Sequence, residues 1–273
     1  MVTQPKKLDK TKIAFLTTVF PKNKSFLPSF FDSLNNQSFK NFDVIVVNDG
    51  LKNFQNYKKN FKQLNIIDIN KSSTPVKNRE IGINYCIKNK YDILIFGDSD
   101  DYFKKNRVEK NLELLKNNDI VVNDLSLFNE KKIIQKMYLS KRINNYKEIN
   151  LEFIVNKNIF GLSNTAIKLK NLKKFNLPNN LIALDWYIFS KLLVEGKKAI
   201  FTNKTITFYR QHKNNIIGMK KMNNKLLKKS LIVKKKHYRA LSKISNYFKI
   251  KLNKLKNQEN NKKIDYPVWW EQN

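Results

Sequence analysis

Residues 91–103 read YDILIFGDSDDYF. The apolar run Ile93-Leu94-Ile95-Phe96, flanked by Asp92 and Gly97, predicts a buried strand of an α/β sheet. Asp98, Ser99, Asp100 and Asp101 follow at its carboxyl end, the edge at which open α/β sheets bind ligands. Asp98 and Asp100, two apart in an extended segment, point the same way. Carboxylates packed this closely repel one another unless protons or a cation intervene. A hard divalent ion such as Mg²⁺ or Mn²⁺ takes one or two of them and leaves room for phosphate oxygens. An Asp-rich turn capping the next helix is the alternative use of the same residues.

Upstream, strands and helices alternate. Ile13–Thr18 (IAFLTT) reads as a strand, Phe26–Leu34 as a helix with Pro28 in its first turn, and Phe42–Val47 as a strand ending in Asn48-Asp49-Gly50. A polar helix over Phe54–Phe61 and a strand over Asn65–Ile69 follow. Thr74 and Pro75, as N-cap and first helical residue, start a helix running to about Lys88. Four such alternations predict an α/β fold with a mostly parallel sheet, right-handed crossovers and helices on both faces. Downstream, Asn106–Lys116 reads as a helix. Ile120–Asn129 with Lys132–Leu139 reads as a hairpin, and Ile149–Val155 as a short helix. Ala183–Val194 reads as a helix closed by Gly196, and Ala199–Thr202 and Thr205–Tyr209 as two short strands.

The chain has 273 residues, enough for one large domain and an appendage, and 41% are hydrophobic, enough for a sizeable core. Its only cysteine, Cys86, excludes an intrachain disulfide, fits a reducing compartment and reads as core. The N-terminus MVTQPKKLDKTK has no apolar signal core, and no run approaches the roughly 20 residues that span a bilayer. A cytoplasmic location is expected. The net charge of +32 predicts attraction to anionic partners. Only five of those cations are arginines, at 79, 107, 142, 210 and 239, which argues against specific nucleic-acid recognition. After Gly218 the character changes. Residues 219–273 predict a basic amphipathic helix or helix pair, with Leu227, Leu231, Tyr238 and Leu241 near helical spacing. Such a segment packs on the main domain or lies on an anionic membrane, with Trp269 and Trp270 available as interfacial anchors. His237 within it reads as a surface residue.

In order and spacing, several segments resemble the inverting glycosyltransferases of family 2, whose fold is GT-A. They are IAFLTTVF, DSLNNQSFKNFDVIVVNDG, TPVKNREIGINYC and ILIFGDSDDYF, followed by LDWYIFSKLLVEG and FYRQHKNNIIG. The resemblance covers most of residues 11–218, assigned as a GT-A domain, and leaves 219–273 as an extension. Asn48, Leu51, Thr17, Phe20 and Leu184 depart from the family's usual residues, which bears on nucleotide and sugar identity.

The resemblance implies transfer of a sugar from a nucleoside diphosphate, UDP being favoured, to a glycan or lipid-linked glycan hydroxyl. Relatives often build surface polysaccharides on lipid-linked carriers, which makes a peripheral position at the inner face of the cytoplasmic membrane an expectation for this chain. It implies that Thr17, Thr18, Val19, Asp49, Arg79, Asp98, Ser99 and Arg210 bind the donor. It implies that Asp98, Asp100, Asp101 and His212 serve Mn²⁺ or Mg²⁺, and that Asp185 is the general base, kept ionised by its helix terminus. Gly161, Ser163, Asn164 and Trp186 would line the acceptor pocket. Three other readings compete. A sugar nucleotidyltransferase would need a glycine-rich loop that Ile13–Phe20 lacks. A polyanion-binding protein gives no reason for the clustered aspartates. A catalytically dead family member gives no reason for the intact set Asp98, Asp100, Asp101 and Asp185.

Overall fold

The first strand, β1 (Ile13–Val19), is buried at every position, which requires protein on both faces and a paired strand on both edges. In the computed structural model, which describes residues 11–212 and 224–259, both neighbours of β1 are parallel. They are β2 (Asp43–Asn48) on one side and β4 (Ile93–Phe96) on the other. Between them in sequence come α1 (Leu27–Asn35), α2 (Gln55–Asn60), the edge strand β3 (Asn65–Asn70) and α3 (Pro75–Lys88). The chain therefore winds one way through β1, β2 and β3, then the other way to β4. The crevice where the direction reverses lies beyond the carboxyl ends of β1 and β4, and that is where Asp98 follows Phe96.

Alternate residues of β1 supply two cores. Ile13, Phe15 and Val19 pack with Phe30, Phe31 and Leu34 of α1. Ala14 and Leu16 pack on the opposite face with Ile83 and Cys86 of α3. The expected start of α3 is present, with Thr74 Oγ1 accepting from Lys77 N at 3.3 Å and Pro75 at the first position.

The second half departs from a mostly parallel sheet. It contains β5 (Tyr102–Phe103), α4 (Arg107–Leu115), β6 (Ile120–Phe128), β7 (Ile133–Gln135), β8 (Glu148–Ile149) and α5 (Leu151–Ile154). Then come β9 (Thr165–Lys168), α6 (Leu184–Val194) and β10 (Ala199–Arg210). The sheet order is β3-β2-β1-β4-β9-β6-β10-β5, with β7 on β6 and β8 on β10. Strand β9 runs antiparallel to both β4 and β6, so the sheet is mixed.

The predicted hairpin is cut short because Asp124, buried in β6, accepts from Leu125 N and Leu139 N at 2.7 Å each and from Ser140 Oγ. With Tyr138 N donating to Leu125 O at 2.7 Å, those bonds hold residues 138–140 as a turn against β6, and β7 keeps only three residues. The two predicted strands at 199–209 are one strand. Its register shifts between Thr202 and Ile206, where Asn145 Oδ1 accepts from Asn203 N at 3.1 Å and from Thr202 Oγ1 at 3.2 Å. Gly196, at φ +80°, closes α6 as its spacing predicts.

The described part of the basic extension forms α7 (Asn224–Leu241) and α8 (Asn246–Glu259). Val233, Tyr238, Leu241, Phe248, Leu252 and Leu255 join the α3–α6 core. Tyr238 Oη donates to Val155 O and Asn156 Oδ1, both at 2.9 Å. His237, expected at the surface, is buried and stacked on Trp186 at 3.9 Å and 14°. Burial drives its pKa well below the ordinary value, so a neutral imidazole packs as an aromatic ring. The segment Tyr266–Trp270 lies outside the described residues. No helix among those described is long and apolar enough to cross a membrane.

Gly97 sits where a Cβ would meet Phe103 Cζ at 2.8 Å and the Phe15 ring more closely still. These rings are locked in the core, at 5.1 Å between centroids. Gly97→Ala is expected to destabilise the fold by about 1–3 kcal/mol, read as a lowered thermal midpoint. An unchanged midpoint would show that the rings give way freely.

Candidate active site

At the carboxyl edge of β1 and β4, a chain of bonds gathers the predicted polar residues. Arg79, in the first turns of α3, donates from Nη1 to Thr18 Oγ1 at 2.8 Å and from Nη2 to Asp98 Oδ1. Next along the edge, Asp49 N donates to Val19 O at 2.8 Å, and Asp49 Oδ1 accepts from Ser72 Oγ at 2.6 Å. Asn48, which stands where an aspartate is usual, donates from Nδ2 to Leu51 O at 3.1 Å and accepts from Leu51 N at 2.8 Å. An aspartate could make only the second of those bonds. Asn48 thus closes the turn and Asp49 is the acid left facing the edge.

The three clustered aspartates separate by role. Asp98 is part-exposed. Burial pushes its pKa up, the Arg79 guanidinium pulls against that, and Asp100 adds like-charge repulsion. Asp100, also part-exposed, lies with Oδ2 at 2.9 Å from His212 Nε2. Asp101 is buried and both of its oxygens are engaged. Ser163 Oγ donates to Oδ2, and Arg210 N donates to Oδ1 at 2.8 Å. Burial, then the charges of Asp100 and Asp98, raise its pKa well above the carboxylate range. Asp101 therefore anchors the end of β10 instead of facing the cleft as a ligand.

Asp185 lies in the first turn of α6, its Oδ1 accepting from Trp186 N at 2.8 Å, with Asn158 as a second partner. Burial lifts its pKa to about 7, and the charge of Asp98 adds to the lift. The helix terminus does not keep it ionised at low pH, because desolvation outweighs a partial dipole charge. The charge of Asp98 also acts on Asp185, so the two carboxyls lie within electrostatic reach of each other.

Several predicted residues serve the frame instead. Thr17 and Val19 are buried on the α1 face of β1, opposite Thr18, as the two-residue period demands. Ser99 is buried, donating to Thr18 O at 2.8 Å and accepting from Asn23 Nδ2 at 3.1 Å. Gly161, Ser163 and Asn164 form a bonded turn. Gly161 N donates to Asn164 Oδ1 at 2.7 Å, and Asn164 Nδ2 to Asn123 O at 2.8 Å. Trp186 offers no acceptor platform. Its ring is fully buried, and Nε1 donates to Ile154 O at 2.9 Å. Arg210 clamps the aspartate loop, with Nε donating to Asp100 O at 2.7 Å and Nη2 to Ser29 Oγ at 3.1 Å. Its guanidinium lies over Phe26 and Phe128 at 4.7 and 4.5 Å.

Two site residues were not singled out by motif. Arg107, at the start of α4, is fully buried behind the cluster. Its Nη2 donates to Phe96 O at 2.6 Å and its guanidinium lies 4.3 Å from the Phe103 ring centre. Burial lowers its pKa to about 9, opposed by Asp101 and Asp98, so it remains a cation and offsets their charge. The available signal is the scarcity of arginine: three of the five, Arg79, Arg107 and Arg210, meet at this site. Tyr209 is the second. Burial raises its pKa, and the charges of Asp101, Asp98, Asp100 and Asp185 all add to that, so the phenol stays neutral.

Among the described residues no three His, Cys, Asp or Glu side chains already converge as a metal cage. The donor chemistry of Asp100 and His212, with Asp98 nearby, suits a hard ion that takes its remaining ligands from diphosphate and water. Mg²⁺ and Mn²⁺ bind in that manner.

Residues 16–173 match the family model described as Glycosyl transferase family 2. No curated protein matches the sequence. Among solved structures, S. aureus TarS 1–349 in complex with UDP-GlcNAc is similar, with a TM-score of 0.61 and 16% identity over 84% of this chain and 66% of that one. Mannosyltransferase PcManGT from Pyrobaculum calidifontis, in complex with GDP-Man and Mn²⁺, has a TM-score of 0.59 and 11% identity, over 87% and 66%. TarS 1–349 alone has 0.58 and 18%, over 74% and 60%. At these identities the likeness is one of fold. The chain spans 60–66% of the length of these three structures.

A carboxyl whose folded pKa exceeds its unfolded one favours folding while protonated. Stability is therefore lost as pH rises from the ordinary 3.8 through about 7 at Asp185. Asp185→Asn is expected to raise the thermal midpoint at pH 8, by at least the about 2–4 °C that one kcal/mol makes in a chain of this size. The same substitution should leave the midpoint near pH 4 unchanged. Equal effects at both pH values would show that Asp185 is not desolvated.

Proposed function

The chain belongs to glycosyl transferase family 2, and from that premise we propose that it is a metal-dependent, inverting glycosyltransferase. It moves a sugar from a nucleoside diphosphate, UDP by preference, to a hydroxyl of a glycan acceptor. The observation that supports this best is Asp185, a carboxyl lifted to about 7 within the field of Asp98 at the sheet's ligand edge. A base with a pKa near ambient pH is matched to taking a proton in the transition state.

In this reading Asp49 holds the base or ribose, and Arg79, from the amino end of α3, forks onto phosphate oxygens. Asp100 and His212, with Asp98, would hold Mn²⁺ or Mg²⁺, which when bound would supply Lewis-acid neutralisation of the charge left on the diphosphate. Asp185 takes the proton of the acceptor hydroxyl. The freed oxygen attacks the anomeric carbon from the face opposite the diphosphate. The carbon–oxygen bond to the nucleotide breaks, and its electron pair leaves with UDP, so the configuration inverts. Tyr209, a neutral phenol within the field of these carboxyls, is in this reading a hydrogen-bond donor to substrate. The acceptor we favour is a growing surface glycan on a lipid carrier, with the protein at the cytoplasmic face of an anionic membrane.

Thermal unfolding with nucleotide tests the donor half. UDP with Mn²⁺ should raise the midpoint, by the equivalent of about 2.7 kcal/mol at a hundredfold excess over Kd. UDP alone should do little, and Asp100→Ala should abolish the metal-dependent part. An equal shift without metal contradicts metal dependence. For the base, Asp185→Asn should keep the UDP–Mn²⁺ shift and lose about 10²–10⁴ in turnover. Wild-type activity should rise with pH along a limb centred near 7. Normal turnover by Asp185→Asn removes Asp185 from the role.

A further inference from the structure

No acidic residue occurs between Glu195 and Glu259. Enrichment in lysine and asparagine alone does not empty so long a stretch of Asp and Glu. The helices α7 and α8 resolve what the run builds. On α7 the stripe Val233, His237, Tyr238 and Leu241 is buried against the main core. The opposite stripe carries Lys228, Ile232 and Arg239, spaced by four and seven residues and therefore on one face, with Lys229 beside it. On α8, Phe248, Leu252 and Leu255 point inward, while Lys249, Ile250 and Lys254 are exposed. The turn between the helices exposes Lys243 and Ile244.

Three isoleucines thus stand in water among the cations, Ile232, Ile244 and Ile250, each 46–52% exposed. Both helices bury their inner stripes in one core, so both outer stripes face away from it. α7 is held to α6 by the Trp186–His237 stack, and α6 carries Asp185.

We infer that the outer face of α7 and α8 docks the protein on an anionic phospholipid surface, lysines and arginine on the headgroups and the three isoleucines in the interface. Each cation near such a surface adds attraction that salt screens, and apolar side chains add burial that salt does not screen. A nucleic acid would match the charge but gives the isoleucines nothing to enter. Lysine also lacks the planar fork that suits phosphate and base recognition. The face fits the glycosyl-transfer reading, but vesicle binding involves no nucleotide and is tested independently of it.

The experiment is co-sedimentation of the full chain with vesicles of phosphatidylcholine alone, or with about 30 mol % phosphatidylglycerol. Two surface variants accompany it, Ile232→Ser with Ile250→Ser, and Lys228→Gln with Lys229→Gln and Arg239→Gln. Thermal midpoints confirm that both variants fold. Binding is expected to anionic vesicles only, and each variant should bind at least tenfold more weakly. Single-stranded RNA binding, measured in parallel, should be unmoved by the isoleucine pair. Absence of binding to anionic vesicles overturns the inference. So does wild-type binding by both variants, which would assign attachment to another segment. RNA binding tighter than vesicle binding would make the face a polyanion site instead.

Discussion

Three like charges on one short loop are tolerable only if something opposes them, and the site is built around that constraint. Asp98 leans on Arg79, Asp100 on His212, and Asp101 on two hydrogen bonds, with Arg107 as a buried cation behind them. Burial first, and the neighbouring aspartates after it, still push Asp98 and Asp101 toward their protonated forms. A cleft of that kind lowers its electrostatic strain by accepting a cation, and it raises the pKa of any further carboxyl brought near. Asp185 is that further carboxyl. Burial does most of the lifting there, and the repulsion that invites a metal ion adds to it.

The frame around the site follows from holding that loop still. Arg210 grips Asp100 O and reaches Ser29, while Tyr102–Phe103 pairs with Thr207–Phe208 to stitch the loop to β10. Ser163 bridges Asp101 and the peptide of Asp98, the latter at 3.4 Å. Gly161 and Asn164, which the resemblance assigns to the acceptor pocket, are bonded into the turn that carries Ser163. The C-terminal helices extend the same logic outward. Through Trp186 and His237 they fasten to the helix bearing Asp185.

Much of this was legible in the sequence. The parallel half of the sheet follows from continuous apolar runs, and the ligand edge from Asn48-Asp49-Gly50 and the aspartates after Phe96. Thr74-Pro75 and Gly196 marked helix ends through backbone chemistry that does not depend on tertiary context. What escaped was decided by partners distant in sequence. Nothing local says that Asp124 would hold residues 139–140 in a turn against β6 in place of a longer ladder. Nor does anything local say that His237 would find Trp186, or that a buried guanidinium at position 107 would sit behind the cluster. Thr17 and Val19 were recoverable from strand alternation alone, since they lie on the opposite face from Thr18. The lifted pKa of Asp185 was not, because helix position argues for ionisation and only three-dimensional burial reverses it.

The shared cleft is tested most directly by titrating Asp185 itself, through its side-chain carboxyl ¹³C shift, in the metal-free wild type and in Asp98→Asn. With Asp98 contributing to the lift, the midpoint should begin near 7 and fall when that charge is removed. A midpoint the same in both proteins, or one in the ordinary carboxylate range from the start, would contradict a cleft in which these carboxyls act on one another.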